Sequence, residues 1–327
     1  MRIVLAGGTG QIGTILTRAF GPAGHELVVL TRRPAEAGQV YWDSATLGPW
    51  AGAVDGSDVV INLAGRSVSC RYTPASLQAM MDSRVNSARV VGAAIAQAAR
   101  PPRAWLQMST ATIYAHRLDA ANDEAAGIIG GAEPGVPPYW EYSVRIARRW
   151  EQAQQQAVVP ATRKVALRTA FVVSPDRGGA FDVLSRLSRL SRLGLGGPVA
   201  GGGQYVSWIH EADFVRAVEF LIDREDLAGP VNAAAPAPLP QREFMAALRA
   251  AWGMPIGLPA TRWMAEIGAL ALGSDTELLL QSRQVVPGRL LAAGFTFSYP
   301  DWPEAARDLA GQVRGQRPVR LGALRRH

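Results

Sequence analysis

The strongest constraint on the fold lies at the start of the chain, where a short apolar strand runs straight into a glycine-rich turn. Residues 3–13 read Ile-Val-Leu-Ala-Gly-Gly-Thr-Gly-Gln-Ile-Gly. Apolar side chains then recur with the period of an amphipathic helix up to residue 20, and a second apolar run follows at 26–30. Strand, turn, helix and strand in this order predict a parallel βαβ unit.

The glycines of this turn indicate what it can bind. Gly7 begins the turn, Gly8 and Gly10 would let the backbone approach a pyrophosphate, and Gly13 would let the helix pack closely on the strand. The helix N-terminus adds unpaired N–H groups that favour an anion. We therefore predict a dinucleotide-binding turn, with a flexible glycine loop before an ordinary helix as the alternative.

The end of the second strand indicates which dinucleotide. A site for NAD places an acidic residue about 20 positions after the glycines, where it accepts hydrogen bonds from the ribose 2′-hydroxyl. This chain has Thr31, Arg32 and Arg33 there. A guanidinium can hold a 2′-phosphate through two parallel hydrogen bonds, which a carboxylate would repel. The sequence predicts NADP(H), with Arg32 as the first candidate and Arg33 as the second, unless both are solvated ends of a strand.

Composition and charge narrow the class of protein. The 327 residues are 48% hydrophobic, enough for one extended α/β unit with a second, smaller region. The net charge of +7 comes from basic residues that are distributed along the chain, with a visible concentration only in the last residues, which we interpret as a frayed basic terminus. No nucleic-acid partner is therefore expected. The longest apolar stretches, such as 90–96, are too short to span a bilayer. With a nucleotide turn beginning at residue 7, no signal peptide is expected, and we predict a cytoplasmic protein without a membrane partner.

The cysteine and histidine content argues against metal chemistry. Cys70 is the single cysteine, which excludes an internal disulfide and a cysteine-based zinc site. The four histidines show no metal-ligand spacing, so no metal is expected.

Strand and helix patterns alternate beyond the first unit. Apolar strands are predicted at 59–63, 104–108 and 164–168, with helices around 75–99 and 140–157 between them. This alternation predicts a Rossmann-type, doubly wound parallel sheet with a smaller C-terminal α/β capping region. We assign residues 1–173 and about 207–234 to the NADP-binding domain, 174–206 and 235–312 to the capping region, and 313–327 to a basic tail. Helices are also predicted around 241–252 and 261–281. A Ser-Arg-Leu triplet repeats at 185–193, either as a solvated helix face or as an anion-binding patch.

The ends of the predicted strands supply the remaining candidates. Ligands in open α/β sheets bind outside the carboxyl ends of the strands. We therefore expect three segments to line the cofactor and substrate crevice, namely residues 62–65, which include Leu63, Ala64 and Gly65, residues 109–112, which begin at Ser109, and residues 169–173.

Several stretches together resemble the extended short-chain dehydrogenase/reductase superfamily, and more narrowly its atypical epimerase-like branch with a C-terminal domain of unknown function. They are the glycine turn, residues 62–65, 82–86 and 109–114, Trp150-Glu151, residues 167–169, 192–198, 203–210, 229–232 and 281–291, and residues 293–297. The resemblance covers roughly residues 1–310. It implies contacts to NADP(H) from Thr9, Gly10, Gln11, Ile12, Thr31, Arg32, Leu63, Ala64, Arg84 and Val172, and a possible homodimer.

The usual catalytic pair of that superfamily is missing here. Its Tyr-x-x-x-Lys motif uses a lysine to lower the tyrosine pKa, so that the phenol can move a proton. Aligning from Trp150-Glu151 places Ser143 and Ala147 at the two positions, and a shift of one residue places Tyr142 and Ile146 there. The single lysine, Lys164, lies on the following strand in either case.

An atypical mechanism is therefore expected. We predict that Ser109 polarises a carbonyl or hydroxyl, that Tyr142 or His210 handles the proton, and that Gln204 and Trp208 face the substrate. For Tyr142 and His210 a packed, structural role is the alternative. The leading function is an NADP(H)-dependent oxidoreductase or epimerase-like enzyme acting on an unidentified small polar or sugar-like substrate. The alternative is a catalytically silent NADP(H)-binding regulatory or scaffolding protein.

Overall fold

The computed structural model describes residues 1–68, 70–134, 136–176, 196–254, 256–261, 263–264 and 280–315. The triplet repeat at 185–193, most of the predicted helix at 261–281 and the tail from residue 316 lie outside the described residues.

The described residues form short strands and helices that alternate through the first two thirds of the chain. The strands are β1 (Arg2–Ala6), β2 (Glu26–Thr31), β3 (Gln39–Tyr41), β4 (Val59–Asn62), β5 (Ala104–Thr110), β6 (Arg163–Thr169), β7 (Phe171–Val173), β8 (Tyr205–Val206), β9 (Trp208–His210), β10 (Gly229–Ala233) and β11 (Leu239–Pro240). The helices are α1 (Gln11–Phe20), α2 (Pro74–Gln97), α3 (Pro138–Gln155), α4 (Glu211–Asp223), α5 (Gln241–Ala251), α6 (Gly288–Ala292) and α7 (Trp302–Gly315).

Seven of these strands form one parallel sheet in the order β10-β6-β5-β4-β1-β2-β3. This order confirms the predicted doubly wound α/β fold. The direction of the strand order reverses at β1: β2 and β3 follow on one side of β1, and β4, β5, β6 and β10 follow on the other. Ala6 at the end of β1 lies beside Leu30 of β2 and Asn62 of β4, which opens a crevice at this point.

The alternating side chains of the central strands build a core on each face of the sheet. Ile3 and Leu5 of β1 pack with Ile15, Leu16 and Phe20, the apolar face of α1. The intervening Val4 and Ala6 point to the opposite face and pack with α2 residues that include Val85, Ala88 and Val91. The period of two along β1 and the helical spacing in α1 therefore fix which surface faces the sheet.

The C-terminal part adds small sheets and an aromatic core. β7 pairs with β9 in parallel, and β8 pairs with β11 in antiparallel orientation. Between α5 and α7, the Phe244 and Trp302 rings stack with centroids 3.9 Å apart, and Trp208 packs edge-on against Trp302. These contacts join β7 and β9 with α5 and α7 in one core, and the boundaries of the capping region stay a prediction.

Three polar contacts tie α1 to the segment that follows β7 and to the start of α4. The Arg18 guanidinium pairs with Asp176 and with Glu211, the first residue of α4. Gln11 donates a hydrogen bond of 3.2 Å to the Ser174 hydroxyl. Within the described part of the chain, no helix is both long and apolar enough to cross a bilayer.

Candidate functional site

The glycine turn forms a tight, open-sided cradle between β1 and α1. Gly7 has a φ of +77°, and a Cβ there would lie 2.8 Å from the Ala64 Cα. A Cβ at Gly13 would lie 2.1 Å from the Gly8 carbonyl oxygen, so the close packing of helix on turn requires glycine. At Gly10 the nearest protein atom would be 4.0 Å away. Gly10 precedes α1 without a side-chain cap, so the first N–H groups of the helix face the open side.

A basic cavity of about 530 Å³ opens beside this turn, lined by Thr9, Thr31, Arg32 and Arg33. The hydroxyls of Thr9 and Thr31 are 3.3 Å apart, and the Arg33 N–H donates to the Thr31 hydroxyl oxygen. Both arginines are exposed, while Thr31 is buried at the end of β2. No carboxylate belongs to the described lining of this cavity. Its chemistry suits a phosphate better than a diol.

A second cavity of about 300 Å³ runs along the carboxyl ends of β4, β5 and β6. Its described lining combines apolar side chains, hydroxyls and two arginines. It comprises Ile12, Leu63, Gly65, Val68, Tyr72, Met80, Arg84, Met108, Ser109, Thr110, Ala111, Thr112, Ser143, Ile146, Trp150, Thr169, Ala170, Phe171 and Arg283. The structure thus brings Ile12, Leu63, Gly65, Arg84 and Ser109 together as the sequence predicted, and adds Ser143, which stands at one candidate tyrosine position.

Buried amides fix the loop after β4. The Asn62 side chain donates to the Gln107 Oε1 at 2.9 Å and to the Ser87 hydroxyl at 3.2 Å. Its oxygen accepts the Ala64 N–H at 3.1 Å. Because all three groups are buried and satisfied, they hold Ala64 against the glycine turn and present Leu63 and Gly65 to the cavity.

Arg84 reaches from α2 to the same loop. Its guanidinium carbon lies 5.1 Å from the Trp150 ring centroid, and Nη1 donates to the carbonyl oxygens of Arg66 and Met80. A Cβ at Gly65 would lie only 3.1 Å from the guanidinium carbon. Burial lowers the pKa of Arg84 to about 10, so it remains a cation at neutral pH. A positive charge at this depth favours an anionic or polar ligand in the cavity.

Behind Ser109 lies a chain of buried polar side chains. The Ser109 hydroxyl donates to the Glu151 Oε1 at 2.6 Å. Arg168 holds both oxygens of that carboxylate at 2.9 Å, and its Nη1 donates to the Tyr114 hydroxyl, which in turn donates to the Asn232 Oδ1. Burial acts to lower the pKa of the Arg168 guanidinium. The hydrogen bonds to Glu151 and the negative charge of Glu151 have the larger combined effect, so the pKa is raised above its usual value. The Ser109 proton is committed to Glu151, so Ser109 offers the cavity a lone pair.

The hydroxyl groups of Thr110 and Thr112, which follow Ser109, leave one hydrogen-bond donor available at the cavity. The Thr110 hydroxyl donates to the Thr112 Oγ1 at 3.1 Å, and Arg283 Nε donates to the same oxygen at 3.2 Å. With two hydrogen bonds accepted, the Thr112 hydroxyl keeps its own proton to donate. Thr112 can therefore polarise a substrate oxygen in the way that was expected of Ser109.

The other predicted catalytic residues lie elsewhere. Tyr142 is half-buried on α3, where its hydroxyl contacts the Gln78 side chain at 3.3 Å and Arg145 stacks on its ring. It does not line the described cavity, and neither does His210. His210 is 1% exposed; its Nδ1 accepts the Ala212 N–H, capping α4, and its Nε2 lies 3.2 Å from Asp308. These placements give proton transfer by either side chain no geometric support.

The two predicted substrate-facing residues and Val172 are also placed away from the cavity. Trp208 is fully buried in the aromatic core with Trp302. The Gln204 amide is buried and donates to the Val199 carbonyl oxygen. Val172 packs in the core below the sheet, while its neighbour Phe171 lines the cavity. Trp208 and Val172 are apolar, and the Gln204 amide already has a hydrogen-bond partner. Burial in the core therefore stabilises these side chains more than contact with a polar cavity would.

Sequence reasoning gave no role to four residues that the structure brings to this site, namely Glu151, Arg168, Thr112 and Arg283. The stretches around 150–151, 167–169 and 281–291 stood out as part of the family pattern. Nothing in their local spacing indicated that they meet, because the Glu151 and Arg283 contacts join residues 42 and 171 positions apart.

Taken with the sheet order, the glycine cradle and the crevice at β1 and β4 define an NAD(P)-binding Rossmann protein of the extended short-chain dehydrogenase/reductase type. A model of the NAD dependent epimerase/dehydratase family matches residues 3–234, which is more than half of the chain. The chain belongs to this family. A further model, a domain of unknown function (DUF1731), matches residues 262–309.

Relatives of the same kind align along almost the whole chain. The epimerase family protein SDR39U1 of Mus musculus is 32% identical over 317 residues, covering 94% of this chain and 99% of the relative. An epimerase family protein of Mycobacterium tuberculosis is 32% identical over 309 residues, covering 93% and 95%. Among solved structures, human SDR39U1 with NADPH superposes with a TM-score of 0.81 at 28% identity, covering 95% of this chain and 99% of that one.

Proposed function

We propose that this protein binds NADP(H) across the glycine turn and catalyses hydride transfer between that cofactor and a small substrate in the second cavity. The observation that carries the proposal is the basic cavity at the end of β2, where Arg32 and Arg33 stand in place of an acid. The human relative was solved with NADPH, which supports this choice of cofactor.

The residues around the turn would hold the cofactor. Gly7, Gly10 and Gly13 shape the cradle for the pyrophosphate, with the N–H groups of Gln11 and Ile12 at the start of α1. Thr9, Thr31, Arg32 and Arg33 would hold the 2′-phosphate end. Leu63, Ala64, Gly65 and Arg84 would support the other half of the molecule, while Val172 would act from beneath the sheet by packing. When bound, NADP(H) supplies the hydride donor or acceptor.

Ser109 and Thr112 would bind the reacting oxygen from two sides. In the oxidation direction, the substrate carbon gives up its hydride, and the hydroxyl proton moves to the Ser109 Oγ as the Ser109 proton moves to Glu151. Thr112 donates a hydrogen bond to the oxygen that becomes a carbonyl. This pair would replace the missing Tyr-x-x-x-Lys motif, since the Ser109–Glu151 contact is a short, charge-assisted hydrogen bond.

The cofactor is tested by titrating the protein with NADPH and NADH while following cofactor fluorescence. We expect NADPH to bind at least about tenfold more tightly, and Arg32→Ala to remove most of this preference. Arg242→Ala serves as the matched control, because Arg242 is an exposed arginine away from both cavities. Equal binding of the two cofactors, or a preference that survives in Arg32→Ala, contradicts the assignment.

Catalysis is tested by following cofactor absorbance with a panel of small carbonyl compounds and alcohols. We expect turnover in the wild type and a large loss in Ser109→Ala without a change in NADPH affinity. Tight NADPH binding with no turnover across the panel would favour the silent regulatory protein and contradict the catalytic proposal.

A further inference from the structure

The segment that carries Arg283 reaches the second cavity from the part of the chain that matches the domain of unknown function, residues 262–309. Gln281, Ser282 and Arg283 are all buried. Arg283 Nε donates to the Thr112 hydroxyl oxygen at 3.2 Å, and Arg283 Nη2 donates to the Gln281 Oε1 at 2.7 Å. The contact from Arg283 helps to leave the Thr112 proton available at the cavity, because a hydroxyl that accepts from a cation turns its own proton elsewhere.

His116 holds the residue that precedes Arg283. Its Nδ1 accepts the Ser282 N–H at 2.8 Å, across 166 positions of sequence. His116 follows Thr112 by four residues in the stretch after β5, so this one stretch contacts two consecutive residues of the segment. His116 is therefore placed to set the position of Arg283 relative to Thr112.

Other contacts hold the same segment from a different side of the fold. The Arg283 N–H donates to the Tyr205 carbonyl oxygen in β8. The Ser207 hydroxyl, just before β9, donates to the Arg283 carbonyl oxygen and accepts the Val285 N–H. His116, in contrast, joins the segment to the stretch after β5. Loss of the His116 contact should therefore shift the segment rather than unfold it.

The bond from Ser282 requires a neutral imidazole, since Nδ1 accepts only through a lone pair that protonation removes. Burial lowers the pKa of His116; the Glu133 charge opposes this shift and the Arg283 charge adds to it. Glu133 Oε1 accepts the backbone N–H of His116 at 2.7 Å, and from α3 the uncharged Trp140 ring lies 5.3 Å from the imidazole, centroid to centroid. The ring is thus neutral at pH 7 and gains its proton below about pH 6.5.

We propose that the 281–286 segment of the domain of unknown function is part of the active site, and that His116 is a positioning residue whose neutral ring aligns Arg283 with Thr112. Protonation at Nδ1 breaks the bond to Ser282, so the segment shifts and the Thr112 donor no longer meets the reacting oxygen. This inference rests on the proposed function, because it assigns a positioning residue and a pH dependence to that same site.

Two substitutions separate the contact from the titration. His116→Asn keeps an oxygen that can accept the Ser282 N–H but has no proton to gain. His116→Phe keeps a ring beside Trp140 and removes the acceptor. His25→Asn is the matched control, because His25 is a half-buried histidine that packs edge-on against Phe20 and lines neither described cavity.

Amide hydrogen exchange of residues 281–286 in NADP⁺-loaded protein tests the attachment of the segment. At neutral pH, His116→Phe should raise the exchange rate about two- to tenfold, the effect of losing one hydrogen bond, while His116→Asn and His25→Asn should match the wild type. At about pH 5, after correction for the intrinsic exchange rate, the wild type and His25→Asn should lose protection and His116→Asn should keep it.

Steady-state kinetics on the substrate found in the panel test the effect on the reaction. In the wild type and in His25→Asn, kcat should fall below about pH 6.5 while the KM for NADPH stays constant, and this acidic loss should be smaller in His116→Asn. At neutral pH, His116→Phe should lower kcat about tenfold or more, whereas His116→Asn should retain the wild-type value.

Wild-type protection of residues 281–286 in His116→Phe overturns the inference, and so does an acidic loss of kcat that is equal in His116→Asn and the wild type. If His116→Phe does not fold, the comparisons of His116→Asn with the wild type at the two pH values decide. Failure of the proposed function is distinguishable, because it appears as loss of NADPH binding or of turnover in the wild type, and the exchange measurement decides the attachment of the segment in that case too.

Discussion

The Ser109 hydroxyl donates a hydrogen bond of 2.6 Å to the Glu151 carboxylate, and the Arg168 guanidinium donates hydrogen bonds to both oxygens of the same carboxylate. The side-chain exposures of Glu151 and Arg168 are 14% and 10%, so this ion pair is largely removed from water. Glu151 follows Ala147, one of the two positions aligned with the superfamily's lysine, by four residues on α3. The Glu151–Arg168 ion pair orients Ser109. It also contributes to folding stability, because the loss of either partner leaves the other charge buried alone.

Replacing Glu151 should therefore destabilise the protein strongly. Glu151→Gln leaves the Arg168 charge buried without its carboxylate, and breaking a buried pair in this way costs about 3–5 kcal/mol. Urea unfolding measures the change. Asp226→Asn, which breaks the exposed Arg224–Asp226 pair, is the control and should cause no measurable loss. Equal effects of the two substitutions would mean that burial does not govern the Glu151 pair.

The glycine turn gives a matched pair of substitutions. Gly13→Ala would bring its Cβ to 2.1 Å from the Gly8 oxygen, and such overpacking costs about 1–3 kcal/mol or more of folding stability. Gly10→Ala meets only open space within the protein, so stability should change by no more than about 1 kcal/mol, while the approach of the pyrophosphate is obstructed. Thermal unfolding and NADPH titration together separate the two effects. Strong NADPH binding by Gly10→Ala would show that the cofactor does not approach this position.

Substitutions of hydroxyl groups distinguish the residues at the cavity from those outside it. Thr112→Val removes the proposed donor and should lower kcat/KM by about a hundredfold. Tyr142→Phe removes a hydroxyl that contacts only Gln78 among the described side chains, so kcat/KM should stay at the wild-type value. Steady-state kinetics on the substrate found in the panel measures both. A large loss in Tyr142→Phe would restore the role that the sequence suggested for this tyrosine.

His210 should make stability depend on pH. Burial lowers its pKa, against the opposing charges of Asp308 and Asp213, and Tyr299 stacks on the ring at 4.0 Å. Because the pKa is lower in the folded state than the value of about 6.5 in the unfolded chain, the unfolded state binds the proton first. The contribution of neutral His210 is therefore complete above about pH 6.5 and is lost as the pH falls through the folded pKa.

The variant His210→Asn keeps an oxygen to cap α4 and removes this titration. Urea unfolding at neutral and mildly acidic pH should show a smaller loss of stability on acidification in the variant than in the wild type. His116 keeps part of the slope, since burial lowers its pKa as well. An identical pH dependence in both proteins would contradict the assignment.

The local spacing of apolar residues was sufficient to predict the two long helices that flank the sheet. The helices predicted around 75–99 and 140–157 are found at Pro74–Gln97 and Pro138–Gln155, because their apolar spacing and proline N-termini act within a few residues. The carboxyl ends of the strands meet at one edge in any parallel sheet, so the sequence was enough to place Leu63 and Ser109 in one crevice.

Partners of side chains could not be predicted in the same way. Nothing near Trp208 in sequence indicates that it packs on Trp302, and Trp208 was therefore predicted to face the substrate. Ser109 was correctly placed at the crevice, but the direction of its proton depends on Glu151, which arrives from α3. Such contacts depend on how separate elements dock, which no local period encodes.

The Tyr114 hydroxyl donates to Asn232 across 118 positions of sequence, and it also accepts from Arg168. During synthesis, Ser109, Glu151 and Arg168 emerge before the strand that carries Asn232. Ribosomes add about 5–20 residues per second, so several seconds pass between the synthesis of Tyr114 and that of its hydrogen-bond acceptor. The chain of hydrogen bonds from Ser109 to Asn232 is thus completed only when β10 adds to the edge of the sheet, after most of the polypeptide has been made.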